Sequence, residues 1–369
     1  MRRYDVIVLG GGIIGSALAE ELARAGMRVC VLERGTVGCE ASKAAAGILS
    51  AQMDVERPGA FFELCQAAKR LYPAWVRRLE RVSKQSVGYH RDGILYLAQS
   101  SREAQQMERR RQWQRRAGLR AERWSVQETR RHEPNLSAHF QAGFWFPDEA
   151  QVDNVALMDA LAVACRHVGV TVYERTEGIE ILTGRGRVVG VRTPRRTYRA
   201  SRVVNCLGSW AAVKGMRPSR LPLVPARGQL LSFDAPKGFF KRPVMAESAY
   251  GVQRHDGRLI VGSTIEFVGF DRRVTLEGLA AIIAGFTHMV RPATLSRCTL
   301  RDFWAGLRPH TPDGLPILGP TAIDGLFVAA GHFRHGILLA PITAQLLTEL
   351  ILTGYPSRDL SPFYVSRFQ

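Results

Sequence analysis

The chain has 369 residues, of which 46% are apolar and 23% charged, and its formal net charge is +18. This is the composition of an ordinary globular protein, long enough for two domains or for one large α/β unit with an insertion. No run of 18 apolar residues is present, so we expect no membrane span. Six scattered cysteines without CxxC or Cys/His spacing predict no metal site and favour a reducing, cytoplasmic location.

The first segment, residues 4–35, predicts a strand, a turn, a helix and a second strand. Residues 5–9 form a near-continuous apolar run, as in a strand that is buried on both faces. Small and apolar residues then recur at helical spacing until Gly26, and residues 28–32 form the next apolar run. We read the segment as one βαβ unit rather than as a signal peptide, because it has no cleavage pattern.

Further along the chain, hydrophobic periodicity and turn residues predict alternating helical and strand-rich regions. The predicted elements are a helix at about 59–83, a strand at 92–98, a helix at 154–167, several strands in 170–206, a hairpin turn at 255–257, a helix at about 275–290, a strand at 326–330 and a helix at 336–353.

The order of these elements predicts an α/β (mixed α+β) fold in which an antiparallel sheet is inserted into a Rossmann-like nucleotide-binding domain. We expect the Rossmann-like domain to comprise residues 1–85, 150–220 and 305–369. The inserted, substrate-binding sheet domain is expected at 86–149 and 221–304.

Much of the positive charge lies in an arginine-rich stretch at 102–134. A solvated helical face is the interpretation that we favour. Nucleic acid or an acidic metabolite are other partners that such a charge would attract. We regard nucleic acid as the weaker alternative.

Three glycines, Gly10, Gly12 and Gly15, form a GxGxxG pattern between the first strand and the first helix. They allow a tight turn, close approach of a pyrophosphate to the backbone, and close packing of helix on strand. The helix N-terminus supplies N–H groups and partial positive charge for the phosphates. Glu33 lies at the end of the second strand, where its carboxylate can accept hydrogen bonds from ribose hydroxyls and would repel a 2′-phosphate. The positive charge of Arg34, the next residue, weakens that repulsion slightly. The segment therefore predicts a dinucleotide site.

A run of small residues, "EASKAAAGILS" at 40–50, would let backbone approach a large flat ligand, and "VVNCLGSWA" at 203–211 has a glycine and a tryptophan after a strand. Together with "GHFRHGILLAP" at 331–341, these stretches resemble the D-amino-acid-oxidase-like family of FAD-dependent oxidoreductases. The resemblance is strongest to its glycine oxidases of the thiamine pathway, through "FWAGLRPHTPDGLPILG" at 303–319 and "GLFVAAGHFRHGILLAPITAQLL" at 325–347, with further matches at 7–19, 44–49 and 258–264.

The resemblance implies noncovalent FAD, since the stretch after Arg308 has no cysteine to attach it, and an amine or amino-acid oxidase that uses oxygen. It implies that Arg308 pairs with a substrate carboxylate, that Tyr250 donates to the same carboxylate, and that Arg334 lies on the substrate side. Ile48 and Ile265 complete the expected substrate site. The expected cofactor-binding residues are Gly10, Gly12, Ile13, Ile14, Gly15, Glu33, Arg34, Ser42, Ala46, Gly47, Gly178, Gly208, His332, Phe333, His335, Gly336, Ile337 and Leu338.

The C-terminal stretch is expected to carry a strand at 326–330 that delivers a loop beneath the flavin, and a helix at 336–353 that begins there. The positive end of that helix would face the flavin edge that gains negative charge on reduction. Pro341 would be tolerated because it lies in the first turns. We do not expect His332 or His335 to act as bases, because a neutral substrate amine can itself drive hydride transfer to flavin N5.

The expected products are an α-keto acid (glyoxylate from glycine), ammonia and hydrogen peroxide, and the resemblance implies a homotetramer. Ser248 and Ile265 depart from the family pattern, which has histidine and methionine there, at positions expected to face the substrate. The substrate among glycine, sarcosine and D-amino acids therefore stays open. The alternatives are a sarcosine or D-amino-acid oxidase, a dehydrogenase of the same fold, or a tRNA-modification flavoprotein.

Overall fold

The computed structural model describes residues 3–216 and 221–368. Within them, the α-helices match the predicted helices to within one or two residues at 59–83, 154–167, 275–290 and 336–353. They are α1 (Ile13–Arg24), α2 (Ala41–Ala44), α3 (Ala60–Ser83), α4 (Ser101–Arg116), α5 (Val126–His132), α6 (Asn154–His167), α7 (Leu276–Met289), α8 (Pro292–Leu295) and α9 (Gly336–Thr353).

The strands of the described residues include the predicted ones at 5–9, 28–32, 92–98 and 326–330. They are β1 (Val6–Leu9), β2 (Val29–Leu32), β3 (Ile48–Leu49), β4 (Ile94–Ala98), β5 (Glu122–Trp124), β6 (Ala142–Phe146), β7 (Ala150–Gln151), β8 (Thr171–Tyr173), β9 (Glu180–Gly184), β10 (Arg187–Arg192), β11 (Thr197–Arg199), β12 (Arg202–Asn205), β13 (Val224–Asp234), β14 (Val244–Met245), β15 (Tyr250–Gln253), β16 (Arg258–Gly262), β17 (Thr299–His310), β18 (Ile317–Pro320) and β19 (Leu326–Ala330).

A six-stranded sheet with the order β18-β19-β12-β1-β2-β8 gathers strands from distant parts of the chain. Its pairs are parallel except β18–β19, and β1 and β2 are fully buried, as their continuous apolar runs predicted. Helices α1, α3, α6 and α9 pack beside it in one large apolar core. A Rossmann-like sheet assembled from separate segments is therefore confirmed.

The second large sheet is eight-stranded, with the order β17-β13-β16-β15-β14-β4-β6-β5. It is antiparallel except for the pair β4–β14, and it joins strands from 94–146 with strands from 224–310. The predicted turn at 255–257 connects β15 to β16 as a hairpin. The fold class is thus confirmed, while the domain boundaries stay a prediction; β17 itself runs across the expected boundary at 304/305.

The arginine-rich stretch forms α4 and α5, and most of its side chains are exposed or half-buried. This agrees with the expected solvated helical face. The segment Phe333–Thr353 is long and apolar enough to span a bilayer by composition, with a mean hydropathy of 1.6, but 72% of the window tested is buried inside the protein. Its apolar surface packs against α1 and α3, as in the core helix of a globular protein.

Candidate active site

The glycine turn between β1 and α1 has the geometry that its sequence predicted. Gly10 has φ +98°, a left-handed conformation that strains other residues. A Cβ on Gly15 would lie 2.0 Å from the Gly10 carbonyl oxygen, so only glycine lets helix and strand pack this closely. At the helix N-terminus, the Ile13 N–H donates to the Ser42 hydroxyl at 2.9 Å. The hydrogen bond to Ser42 fixes one side of the turn against the protein, and Gly10 and Gly12 on the other side line a cavity.

Glu33 is held at the end of β2 by two backbone amides. The Gly11 and Gly35 N–H groups each donate to one of its carboxylate oxygens at 2.7 Å. A carboxylate oxygen can accept more than one hydrogen bond, so the oriented group keeps acceptor capacity for a ligand hydroxyl. Next to it, the Arg34 guanidinium lies 4.0 Å from the centre of the Trp210 ring. This pair forms one wall of the same cavity.

One cavity of about 460 Å³ runs from the glycine turn to the eight-stranded sheet. It brings together nearly all of the predicted cofactor and substrate residues, although they come from nine separate stretches of the chain. Those that line it are Gly10, Gly12, Ile13, Ile14, Glu33, Arg34, Ser42, Ala46, Gly47, Ile48, Gly178, Gly208, Tyr250, Ile265, Arg308, His332, Phe333, Arg334, Gly336 and Ile337.

Three predicted residues do not line the cavity. Gly15 acts through packing, as described above, and Leu338 is 1% exposed in the apolar core. His335 is also buried, and its ring meets Phe61 edge-to-face with centroids 5.1 Å apart. Among the described residues, neither of its ring nitrogens has a hydrogen-bond partner. Direct contact of these three with a cofactor is therefore not supported.

In the C-terminal segment, β19 ends at Ala330, a short 3₁₀ turn follows at Phe333–His335, and α9 begins at Gly336. Gly336 and Ile337 line the cavity, so the helix presents its free N–H groups and positive dipole end there. Phe333 has φ +46°, a left-handed conformation that costs a bulky residue energy and marks a constrained functional loop.

Pro341 lies deeper in α9 than the first turn, so our explanation of its tolerance was incomplete. Having no N–H, it leaves the carbonyl of Ile337 without its helical donor. The Tyr72 hydroxyl, from α3, donates to that carbonyl at 3.1 Å. The helix therefore continues through the proline because a buried side chain replaces the missing hydrogen bond.

Burial makes both histidines of this segment poor proton carriers. It lowers the pKa of His332 to about 3, and the neutral ring lies 3.2 Å from the Thr343 hydroxyl. Burial also lowers the pKa of His335, against the opposing effect of the Asp54 carboxylate. Neutral imidazoles at physiological pH agree with the expectation that neither acts as a base.

Arg308, on β17, directs its guanidinium to the cavity from the eight-stranded sheet. It donates to the Thr264 carbonyl at 3.1 Å and to the Ser263 hydroxyl at 2.8 Å. Within residues 3–216 and 221–368, no carboxylate forms an ion pair with it, and burial lowers its pKa, which Tyr250 partly opposes. A Cβ on Gly228 would lie 2.3 Å from this guanidinium, so glycine makes room for it. A half-buried cation with unused donors fits a carboxylate-bearing ligand.

Arg334 also lines the cavity, but its guanidinium already has an acidic partner. It forms an ion pair with the Asp54 carboxylate at 2.8 Å, and the side chains of Arg334 and Asp54 are 39% and 12% exposed respectively. Local sequence gave no indication of Asp54, because the two residues are far apart along the chain.

The position of Ser248 differs from our expectation that it faces the substrate. Its hydroxyl donates to the Gln99 side chain at 3.1 Å and it does not line the cavity, whereas its neighbours Glu247 and Ala249 do. The reason is that the segment turns between β14 and β15, which sends successive side chains in different directions. Ile265 does line the cavity and is 48% exposed.

Arg254 is a second residue that sequence reasoning missed. It is 6% exposed and donates to the carbonyls of Ala46 and Val152, each at 2.8 Å, and to the Asn154 side chain at 3.0 Å. These contacts fix the backbone at Ala46, which forms part of the cavity wall. The eight-stranded sheet is thereby fastened to the wall of the dinucleotide site.

Residues 5–350 match the model of a protein family described as FAD dependent oxidoreductase. The chain belongs to this family. It is 35% identical to the glycine oxidase of Geobacillus kaustophilus over 99% of this chain and 97% of that protein. The crystal structure of glycine oxidase from Geobacillus kaustophilus superposes with a TM-score of 0.95, at 34% identity, covering 100% of this chain and 99% of that one.

Another relative is the bifunctional protein ThiO/ThiG of Synechocystis, 36% identical over 99% of this chain. The chain spans about half the length of such bifunctional relatives, 54% in this case. The iminodiacetate oxidase of Chelativorans is similar in structure, with a TM-score of 0.84, 25% identity and coverage of 97% of this chain and 98% of that one. The predictions of a glycine-oxidase-like chain of the FAD-dependent oxidoreductase family and of FAD as its cofactor are confirmed.

The cavity residues fit FAD on their own geometry. The glycine turn and α1 N-terminus suit a pyrophosphate, oriented Glu33 suits ribose hydroxyls, and the α9 N-terminus suits the end of the flavin that becomes negative. Gly10, Gly12, Gly47 and Gly208 line the cavity, and the absence of side chains there lets a large flat ligand approach the backbone. The dinucleotide end and the Arg308 end belong to one continuous cavity.

Proposed function

We propose that this protein oxidises glycine and other small amines or amino acids, such as sarcosine and D-amino acids, with oxygen as the electron acceptor. The products would be the α-keto acid, glyoxylate from glycine, together with ammonia and hydrogen peroxide. The observation that carries the proposal is Arg308, a half-buried guanidinium without an acidic partner among the described residues, which reaches the FAD cavity from the eight-stranded sheet, whereas the glycine turn belongs to the six-stranded sheet.

Arg308 would hold the substrate carboxylate through two parallel hydrogen bonds and so fix its plane. Tyr250, which lines the same end of the cavity, is placed to donate a further hydrogen bond to it. The apolar side chains of Ile48 and Ile265 would leave little room for a large substituent and exclude water from the α-carbon. Fixed carboxylate geometry and a dry wall orient the Cα–H bond for reaction.

FAD held by these residues would supply a two-electron acceptor for the hydride that leaves the α-carbon, and oxygen would then receive those two electrons. The protein residues need to supply little acid–base chemistry for this step. The substrate amine must be neutral, and the buried neutral His332 offers it no proton. Water then replaces the imine nitrogen of the product, which leaves as ammonia from glycine or as methylamine from sarcosine.

The similarity to bifunctional ThiO/ThiG proteins supports a place for this activity in thiamine biosynthesis. A homotetramer and a cytoplasmic location remain predictions.

The deciding experiment is anaerobic addition of glycine, sarcosine, D-alanine and D-proline to the yellow protein. Loss of flavin absorbance, followed by peroxide formation when air is admitted, is the expected result. Bleaching without peroxide would indicate a dehydrogenase instead. A flavin that none of these amines bleaches would contradict the proposal, and retention of tRNA at low but not high salt would then favour the nucleic-acid alternative.

A further inference from the structure

Two arginines and one aspartate lie at the substrate end of the cavity, where the remaining acid of the wall, Glu247, is exposed to solvent. Arg308 and Arg334 both line it, and so does Asp54, which pairs with Arg334 at 2.8 Å. The two guanidinium groups are near enough that the charge of Arg334 helps to lower the pKa of Arg308. The three groups together carry one net positive charge, which matches a ligand with a single carboxylate.

The segment that carries Asp54 is fixed in place by the arginine-rich helix α4. Three side chains of α4 donate to backbone carbonyls on either side of Asp54: Arg110 to Met53, Gln114 to Gln52 at 2.7 Å, and Trp113 to Glu56 at 3.0 Å. The backbone that carries Asp54 is therefore fixed at the cavity wall by α4 and not by Arg334.

Asp54 has a second possible donor close by. The His335 Nε2 atom lies 3.9 Å from its other carboxylate oxygen, and neither ring nitrogen of His335 has a hydrogen-bond partner in the described part of the chain. Buried polar groups normally have partners, so this orphaned ring marks a place where the carboxylate can find another donor.

We propose that Asp54 is an internal anion that occupies Arg334 and so restricts the site to amines with one carboxylate. This inference rests on the proposed function and names the substrate class of the same site. A second carboxylate on the substrate would find Arg334 already neutralised and would face the charge of Asp54. Unfavourable juxtaposition of like charges is a recognised source of specificity.

The test compares sarcosine with iminodiacetate, which share a secondary amine and a glycine unit and differ by one carboxylate. In the FAD-loaded wild type, kcat/KM should favour sarcosine. In Asp54→Asn, the ratio of kcat/KM for iminodiacetate to that for sarcosine should rise at least about tenfold, about 1.4 kcal/mol. The gain in Asp54→Asn is expected because Arg334 then receives the second carboxylate. In Asp54→Asn/Arg334→Gln this guanidinium is absent, so the gain should disappear.

Glu247→Gln is the matched control, because Glu247 is an exposed acid of the same cavity wall that does not contact Arg334 in the described structure. It should shift the ratio by less than about threefold, since screening by water weakens exposed charges. An equal shift in Glu247→Gln, or no shift in Asp54→Asn, would overturn the inference. Wild-type protein that already prefers iminodiacetate would do the same.

A binding experiment separates this inference from the proposed function. Acetate and malonate are titrated into the FAD-loaded protein, and the change in flavin absorbance gives each Kd without turnover. Asp54→Asn should tighten malonate relative to acetate by about tenfold or more. Should Asp54→Asn fail to bind FAD, Arg334→Gln provides a second test: it leaves Asp54 uncompensated and should weaken malonate more than acetate. Equal effects on both acids would refute the inference, whether or not any amine is oxidised.

Discussion

Replacing Arg308 with alanine removes the group on which the substrate assignment depends. Two charge-assisted hydrogen bonds to a carboxylate contribute about 1.5–3 kcal/mol each. Water that enters the enlarged cavity would replace part of this, so we expect a loss at the lower end of the sum, about 3–4 kcal/mol. The corresponding fall in kcat/KM for glycine is about 10²- to 10³-fold.

The assay is peroxide formation at varied glycine concentration, with flavin absorbance as the measure of bound FAD. Arg308 reaches the cavity from β17, remote from the glycine turn, so FAD should remain bound in Arg308→Ala. Arg301→Ala is the control, because Arg301 lies on the same strand but pairs with Asp234 at the surface. A value of kcat/KM for Arg308→Ala within about threefold of wild type would refute the reasoning, since it would leave a charge-assisted pair with no measurable contribution.

Other consequences of the structure are open to direct measurement. The folded state keeps His332 neutral, whereas the unfolded chain takes up a proton below pH 6.5, so the free energy of unfolding falls as the pH falls towards about 3. Urea unfolding should show about 2 kcal/mol of this loss between pH 6.5 and 5. The variant His332→Gln should lack this loss. Gly15→Ala would place a Cβ 2.0 Å from a main-chain carbonyl oxygen and should yield colourless protein, whereas Gly184→Ala meets only an ordinary contact at 3.5 Å and should stay yellow. A thiol reagent should modify exposed Cys39 rapidly and half-buried Cys298 more slowly; early reaction elsewhere would contradict the burial that raises the thiol pKa values of Cys30, Cys65, Cys165 and Cys206. Acid precipitation should release a soluble yellow flavin, and a yellow pellet would show that the attachment is covalent.

Sequence patterns predicted the turns, strands and helices whose conformation is determined by residues close together in the chain. The glycine turn, Glu33 and the apolar strand β1 follow within one βαβ unit, where spacing and residue type determine the conformation. The bounds of α6 and α9 were predicted to the residue. Asp153 caps the start of α6, Gly354 follows the end of α9, and periodic apolar residues lie between the ends of each helix. Arg308 and Tyr250 came from motif resemblance and not from any periodicity.

Contacts between distant segments could not be predicted in this way. The Asp54–Arg334 pair and the Tyr72 hydrogen bond to the Ile337 carbonyl each join parts of the chain with no shared local pattern. Ser248 shows the same limit in another way, since the family pattern predicted that it faces the substrate, whereas its hydroxyl bonds to Gln99 and it does not line the cavity. Such interactions depend on the packed arrangement of helices and sheets, which single-sequence reasoning leaves undetermined.

The buried guanidinium of Arg254 restricts motion of the eight-stranded sheet relative to the wall of the dinucleotide site. A hinge motion that drew the hairpin β15–β16 away from Ala46 would strip a desolvated cation of its carbonyl acceptors, at a penalty of several kcal/mol. Large rigid-body rocking is therefore disfavoured on the timescale of a turnover. Ligands would enter and leave the cavity through small rearrangements of surface loops, such as the one that carries the exposed side chains of Ile265 and Phe267.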